Sequence, residues 1–394
     1  MTHLRLLVSL TLISACSCRA LAQFNPGDIK IFGFFQTSFR HTTRLADEPE
    51  QNTFNLQQLN LFFQKDLSQN WTAFINFEFL NNFSSSRQWG SANLEEAWLK
   101  YRSGREFNLK LGLQIPIFNN LNEIKNRTPL LPYIVRPLVY ETSFSEFIAV
   151  EEYLPTRAYI QAYGFCQLST ETKLDYAVYI GNSPNISTPR PDSLGNFQTG
   201  VDTTDTFLVG GRVGVRFREL KVGASATLDN VNYFKGVEIF VGGSPSRFDE
   251  IRRFRLGGDL SYNLGPVSLE SEFIRVTYDD DIEEASLDKS FFYATLGYHL
   301  NDRLFVYGSC WFEQEDITDT DIDGSGKRVL VNGASDVKVP TFGFSYNLND
   351  RITFKGQFAR VWLDFKQLDV VIPSVDHTFK DTSNNYTAGV SVFF

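Results

Sequence analysis

The chain has 394 residues, 42% of them hydrophobic and 15% aromatic, and 46 acidic against 37 basic side chains give it a net charge of −9. That balance gives no ground to expect a nucleic-acid partner, which would need a basic face. Mean hydropathy is −0.20, and no run beyond the N-terminal leader approaches the ~18 apolar residues of a spanning helix, so a bundle of membrane helices is excluded.

The N-terminus reads as a secretory leader: "MTHLR" is a basic start, "LLVSLTLISAC" an apolar core, and Ala20-Leu21-Ala22 a small-residue cleavage site. Residues 1–22 are therefore expected to be removed, leaving one domain over 23–394. The stretch Ile13-Ser14-Ala15-Cys16 resembles a lipoprotein processing site and is the alternative, although a barrel needs no acyl anchor. Beyond the leader only His41, His299 and His377 remain, which argues against a histidine-rich metal centre. Cys166 and Cys310 are expected on lipid-facing positions of separate strands, with a disulfide between them as the alternative.

From about residue 29 the dominant signal is alternation with a period of two, which marks strands with one apolar face. In "FNLKLGLQI", Leu109, Leu111 and Leu113 oppose Asn108, Lys110, Gly112 and Gln114. "RLGGDLSYNL" (255–264) and "TFGFSYNL" (341–348) repeat the pattern. Short turns occur at 66–70, 103–106, 168–172, 217–220, 264–266, 301–303 and 349–351, rich in Gly, Asn, Asp, Ser and Pro. Between them lie long polar stretches at 41–53, 81–91, 116–156, 181–206, 229–250, 280–289, 314–338 and 368–384. Seven short and eight long connections, strictly alternating, join sixteen strands with both termini on the short-turn side. An even-stranded outer-membrane barrel requires this layout. The fold class expected is thus all-β, a 16-stranded antiparallel transmembrane barrel.

The last strand, "YTAGVSVFF", places Tyr386, Ala388, Val390, Val392 and Phe394 on its apolar face. It looks like the C-terminal signal read by the barrel-assembly machinery, with Phe394 turned to lipid.

The longest connection, 116–156, follows the fifth strand and holds prolines 116, 129, 132, 137 and 155. Its apolar residues Leu130, Leu131, Tyr133, Ile134 and Val135 need something to pack against, and a sixteen-stranded barrel is wide enough to hold it. An inward fold narrowing the pore is the expectation, an external lid or partner-contacting loop the alternative.

From "ANLEEAWLKYRSGREFNLKLGLQIPIFN" onward the chain resembles the phosphate-selective porins and their relatives. The resemblance rests on Glu95, Glu96, Ala97, Trp98, Tyr101, Gly112 and Pro116 and is best over roughly 92–145. It implies passive diffusion of small anions through a constriction lined by Arg and Lys, in a homotrimer, with the loop after the fifth strand folded into the pore. The chain departs from an anion-selective pattern in its loop, which carries five acids (Glu123, Glu141, Glu146, Glu151, Glu152) and three bases (Lys125, Arg127, Arg136).

Alternation sends further charges inward, because one on the lipid face at midplane costs about 2–4 kcal/mol. These are Lys100, Lys110, Arg157, Arg212, Arg216, Arg253 and Arg255, with Glu78, Glu96, Glu270 and Glu272. The expected arrangement is a ladder of Arg212, Arg216, Arg253 and Arg255 facing Glu123, Glu141 or Glu146 of the loop, giving a transverse field. The bland reading is that these charges only solvate a wide polar lumen. In the outer loops, Asp319, Asp321, Asp323 and Gly324 match the start of a calcium loop, but Leu330 stands where such a loop needs a bidentate Glu. A solvated acidic loop that meets lipopolysaccharide through divalent cations is the alternative there. The function expected is a non-enzymatic diffusion channel of the bacterial outer membrane for small hydrophilic solutes or ions. The competing functions are a barrel enzyme using His41 or His377 near Asp47 or Asp376, and an adhesin or structural barrel.

Overall fold

The computed structural model describes residues 29–43, 49–80, 91–141, 156–183, 202, 206–230, 239–241, 244–246, 252–279, 286–322, 328–367 and 379–394. The leader, Asp47, Glu146, Glu151, Glu152, Asp323, Gly324, Asp376 and His377 lie outside these residues. The strands, in chain order, begin with β1 (Ile29–Thr42), β2 (Gln51–Asp66), β3 (Trp71–Leu80), β4 (Ser91–Arg102) and β5 (Asn108–Gln114). There follow β6 (Arg157–Gln167), β7 (Thr172–Gly181), β8 (Leu208–Phe217) and β9 (Leu220–Asn230). β10 (Ile239–Val241) and β11 (Ser244–Ser246) form a separate two-stranded sheet within one long connection. The wall resumes with β12 (Arg252–Leu264), β13 (Val267–Asp279), β14 (Ser286–His299) and β15 (Leu304–Ile322), and ends with β16 (Arg328–Asn349), β17 (Ile352–Gln367) and β18 (Phe379–Phe393).

Sixteen of these strands pair antiparallel, each with its neighbour in the chain, and β18 pairs back onto β1 to close the wall. Closure leaves no edge, so every strand can satisfy its backbone groups without water. The period of two then sorts the side chains. Val213, Val215 and Phe217 on β8 and Phe254 and Leu256 on β12 are exposed on the outer face, while Arg212, Arg253 and Arg255 are buried inside. Cys166 on β6 and Cys310 on β15 are free thiols on the outer face, not a disulfide.

Phe394 extends the closing seam. Gly33 N–H donates to the Phe394 carbonyl at 2.9 Å and Phe394 N–H to the Gly33 carbonyl at 3.1 Å. The Phe394 ring lies over Gly33, where a Cβ would stand 2.4 Å from the Asn60 carbonyl oxygen and 2.8 Å from the ring. Gly33→Val should therefore strain the seam by about 1–3 kcal/mol. A lower urea midpoint for unfolding in detergent micelles is the expected readout, with Gly33→Ala between the two.

Two expected long loops are largely strand. β15 runs for 19 residues and β16 for 22, and β18 starts at Phe379, so much of 314–338 and the end of 368–384 pair as extended hairpins. A transmembrane strand needs only about 9–11 residues, so β15 and β16 continue beyond the bilayer.

The lumen also departs from the expected polar interior. Ile274, Val276 and Tyr278 on β13, Phe291 and Tyr293 on β14, and Tyr307 and Trp311 on β15 point inward and are buried. So do Val337 and Val339 on β16 and Ala359 and Val361 on β17. Here the inner face of the wall is apolar, because it packs on protein instead of water.

Candidate functional site

What covers that apolar wall is the connection after β5. Its described part, Ile115–Glu141, enters the barrel and packs Leu131, Tyr133, Val135, Leu138, Val139 and Tyr140 against the inward residues of β13–β17. Three short 3-10 turns, Asn122–Ile124, Thr128–Leu130 and Leu138–Tyr140, shape it, with Pro129 and Pro137 at the entry of the second and third. Proline suits these places because its fixed φ starts a turn and no backbone donor is lost.

Polar side chains of the wall hold the loop's exposed backbone groups. Asn119 N–H donates to Ser225 Oγ (2.9 Å), and Asn120 and Leu121 N–H both donate to Glu272 Oε1 (2.8 and 2.7 Å). The returning limb reaches the same carboxyl, since Tyr140 OH donates to Glu272 Oε2 at 2.7 Å. Four strands further round the wall, Gln357 accepts from Ile134 and Val135 N–H (2.8 and 2.9 Å) and donates to the Val135 carbonyl (2.9 Å). Lys355 Nζ donates to the carbonyls of Thr128 (2.9 Å) and Pro129 (3.1 Å) and to Gln36 Oε1 (3.0 Å). On β4, Glu96 takes Arg127 at 3.1 Å and Glu95 takes Asn126. The loop thus spans the lumen from β2 and β4 to β13 and β17.

On the other side of the loop an open chamber of about 410 Å³ remains, bounded by β4–β9. Lys100, Arg102, Arg105, Arg212, Arg216 and Lys221 line it against Glu123 and Asp175, and Asn119 and Asn120 of the loop close its roof. It lies toward the short-turn end, since Arg105 is in the turn after β4 and Arg216 and Lys221 flank the turn after β8. Arg216 Nε bonds Asp175 Oδ2 at 2.6 Å, and Lys221 donates to Asn120 Oδ1. Lys100, Arg102 and Arg105 form no ion pair among the described residues. A wall with three cations that lack carboxylate partners, in a narrow polar space, attracts anions and repels cations.

Among the described residues the partners shown for the expected arginine ladder are wall aspartates, while Glu146 of the loop lies outside those residues. Arg253 and Arg255, 1% and 0% exposed, close on Asp229, with Arg253 Nε and Arg255 Nη1 each 3.1 Å from Oδ1. Arg212 makes a two-point pair with Asp259 (2.9 and 2.7 Å), reaching over Gly223, where a Cβ would lie 2.2 Å from the guanidinium. Wall aspartates set by strand register thus pair with these arginines. Of the loop's acids, Glu141 pairs with the loop's own Arg136 (3.6 Å), and Glu123 lies in the chamber with its carboxyl pushed up by burial.

The remaining candidates scatter. Lys110 sits 3.8 Å from Glu96 and 4.8 Å from the centre of the Trp98 ring, and Arg157 donates to the Thr156 carbonyl (2.7 Å). Lys125 is fully buried, donates to the Asn122 carbonyl at 3.3 Å, and has its amine pushed down to about 7 by burial. A free lysine titrates near 10.4. Between about 7 and about 10.4 the undocked loop binds the extra proton, so docking strengthens as pH rises through that window. Channel noise from loop motion should fall between pH 6 and 8.5, and Lys125→Met should flatten that dependence.

Asp319 and Asp321 lie on the extended strand β15, opposite Val331 and Val329, and Asp323 and Gly324 of the same motif lie outside the described residues. His41 Nδ1 contacts Asn52 Oδ1 at 2.9 Å, and His299 packs on Phe305 at the short-turn end. Sequence reasoning missed Arg102, Arg105 and Lys221. Lys100 and Arg102 share the inward parity of Glu96 and Trp98, which was signal enough for Arg102. Arg105 belongs to a turn, where parity says nothing.

No protein-family model matches the chain, and no curated protein matches it. Solved structures do. An anion-selective porin from Comamonas acidovorans superposes with a TM-score of 0.60 at 12% identity, covering 93% of this chain and 99% of that one. OmpF of Salmonella typhi, in complex with daunomycin, gives 0.56 at 12%, covering 93% and 97%. A loop-deletion form of OmpT, an outer membrane protein of Vibrio cholerae, gives 0.55 at 11%, covering 93% and 99%. At such identities the likeness is one of fold: a porin-like barrel of outer-membrane type.

Proposed function

We propose that the protein is a diffusion porin of the bacterial outer membrane that passes small hydrophilic solutes and prefers anions. The observation that carries this is the chamber beside the loop, where Lys100, Arg102 and Arg105 have no acidic partner among the described residues. The loop fills the β13–β17 side, so solutes pass on the β4–β9 side, and the chamber's charge sets their sign. The fold likeness to an anion-selective porin supports the same reading. The homotrimer, and assembly through the C-terminal Phe394, belong to it.

Reconstitution in planar bilayers tests it. Stepwise currents with a reversal potential displaced toward the anion potential are expected. Replacing Lys100, Arg102 and Arg105 together with Gln should lower the anion-to-cation permeability ratio several-fold. A folded barrel that carries no current, or hydrolyses peptide or ester substrates instead, would overturn the proposal.

A further inference from the structure

Several inward-facing aromatic residues are buried in this barrel, by the loop or by one another, as Tyr159, Tyr179 and Tyr293 are. Tyr163 and Phe165 on β6 differ. They share the lumenal parity of Tyr159 and Gln161, stay only half-buried, and border the chamber beneath the loop. A vestibule that merely passes ions has no use for two rings beside its charges.

Strand register sets cations next to these rings. Arg102 on β4 pairs with Asn108 on β5, and Asn108 pairs with Tyr163. The arginine and the phenol therefore stand level, two strands or about 10 Å apart. The turn after β4 brings Arg105 to the second ring, since Phe165 N–H donates to the Arg105 carbonyl at 3.2 Å. Next to it the Glu106 carbonyl accepts from Tyr176 OH at 2.7 Å, and Asn108 Nδ2 donates to the Tyr163 carbonyl at 3.3 Å. The turn is thus tied to the strand that carries the rings, and such preorganisation lowers the ordering cost of binding. Lys100 completes this flank, its amine 5.6 Å from the centre of the Trp98 ring. None of the three cations has a carboxylate within ion-pair distance among the described residues. The opposite flank is already engaged: Arg216 holds Asp175, Arg212 holds Asp259, and Lys221 donates to Asn120. Free positive charge therefore lies at one end of the chamber only, and the carboxyl groups of Glu123 and Asp175 border the rest.

We propose that the chamber binds a small aromatic carboxylate, with its carboxylate on Lys100, Arg102 and Arg105 and its ring against Tyr163 and Phe165. The inference rests on the porin reading and deepens it, because it makes the chamber a selective stop on the solute path. A guanidinium takes a carboxylate through two parallel hydrogen bonds, and aromatic rings pair offset or edge to face with a gain beyond the area they bury. The chamber's volume of about 410 Å³ lies within the roughly 300–1,000 Å³ of small-molecule sites. A compact anion without a ring meets the same cations and leaves both rings unused. A second anionic group is disfavoured, since carboxyl groups border the end away from the free cations.

The test uses the whole barrel in planar bilayers at about pH 7.5, with the chloride current read as sodium benzoate, acetate or inorganic phosphate is added. Benzoate should lower the current saturably, with its half-maximal effect at a concentration at least fivefold below that of acetate or phosphate. Benzyl alcohol, which has the ring without the charge, should leave the current unchanged. Tyr163→Leu with Phe165→Leu should bring the potency of benzoate down to that of acetate. Equal potency of benzoate and acetate in the wild type, tighter block by phosphate, block by benzyl alcohol, or undiminished benzoate potency in the variant would each overturn the proposal. The comparison among solutes needs only the wild type, so it decides even where the double variant folds poorly. An anion-selective current with no preference for benzoate sinks this inference and leaves the porin reading standing, whereas a current without anion preference sinks both.

Discussion

Replacing Glu272 with Ala should raise single-channel conductance several-fold and make it noisier. This carboxyl clasps both limbs of the loop, accepting from Asn120 and Leu121 N–H on the way in and from Tyr140 OH on the way out. Removing it leaves three donors in a buried place, at about 1–3 kcal/mol for each group that finds no new partner. Gln357 and Lys355 hold the loop four strands further round the wall, so the Asn120–Leu121 limb that roofs the chamber keeps only the neighbouring ties of Asn119 to Ser225 and Asn120 to Lys221 and is the part loosened. Glu272→Gln keeps one acceptor oxygen and should fall between Ala and the wild type. If Glu272→Ala conducts like the wild type, the loop does not limit the passage.

The second large effect is expected at Asp229, a buried carboxylate that both Arg253 and Arg255 reach. Asp229→Asn leaves two buried guanidinium groups facing a neutral amide. Breaking a buried pair by removing one partner costs about 3–5 kcal/mol, which should appear as a clear drop in the urea midpoint of the barrel. Arg253→Gln added to Asp229→Asn should recover part of the loss, because one of the two cations that Asp229 balanced goes with it. In the fraction that folds, the reversal potential should move further toward the anion potential. An unchanged midpoint would mean that water already reaches the two arginines.

The wall was legible in the sequence because its rule is local. Leu109, Leu111 and Leu113 against Asn108, Lys110 and Gln114 give the two faces of β5 without reference to any other strand. The alternation of short and long connections gave sixteen strands. The rule fails where the inward face is apolar because it packs on the loop, as at Ile274 and Val276, and where strands leave the bilayer yet keep pairing, as in β15 and β16. The site was half legible. Lys100, Arg212 and Arg216 were expected inward and line the chamber, while Arg253 and Arg255 are inward but locked on Asp229. Arg212 could not be assigned its partner by adjacency, since Asp259 stands two strands away and is reached only over Gly223.

By itself the sequence determined a closed sixteen-stranded wall, the side of it each strand residue faces, and a loop with too much apolar surface to lie in water. Only the tertiary structure decided which half of the lumen that loop would fill, which arginines an aspartate would cancel, and where uncancelled cations would gather. The division follows from range: the facing of a side chain depends on its neighbours two residues away. Its partner depends on the register between strands and on a loop that crosses the barrel to meet them.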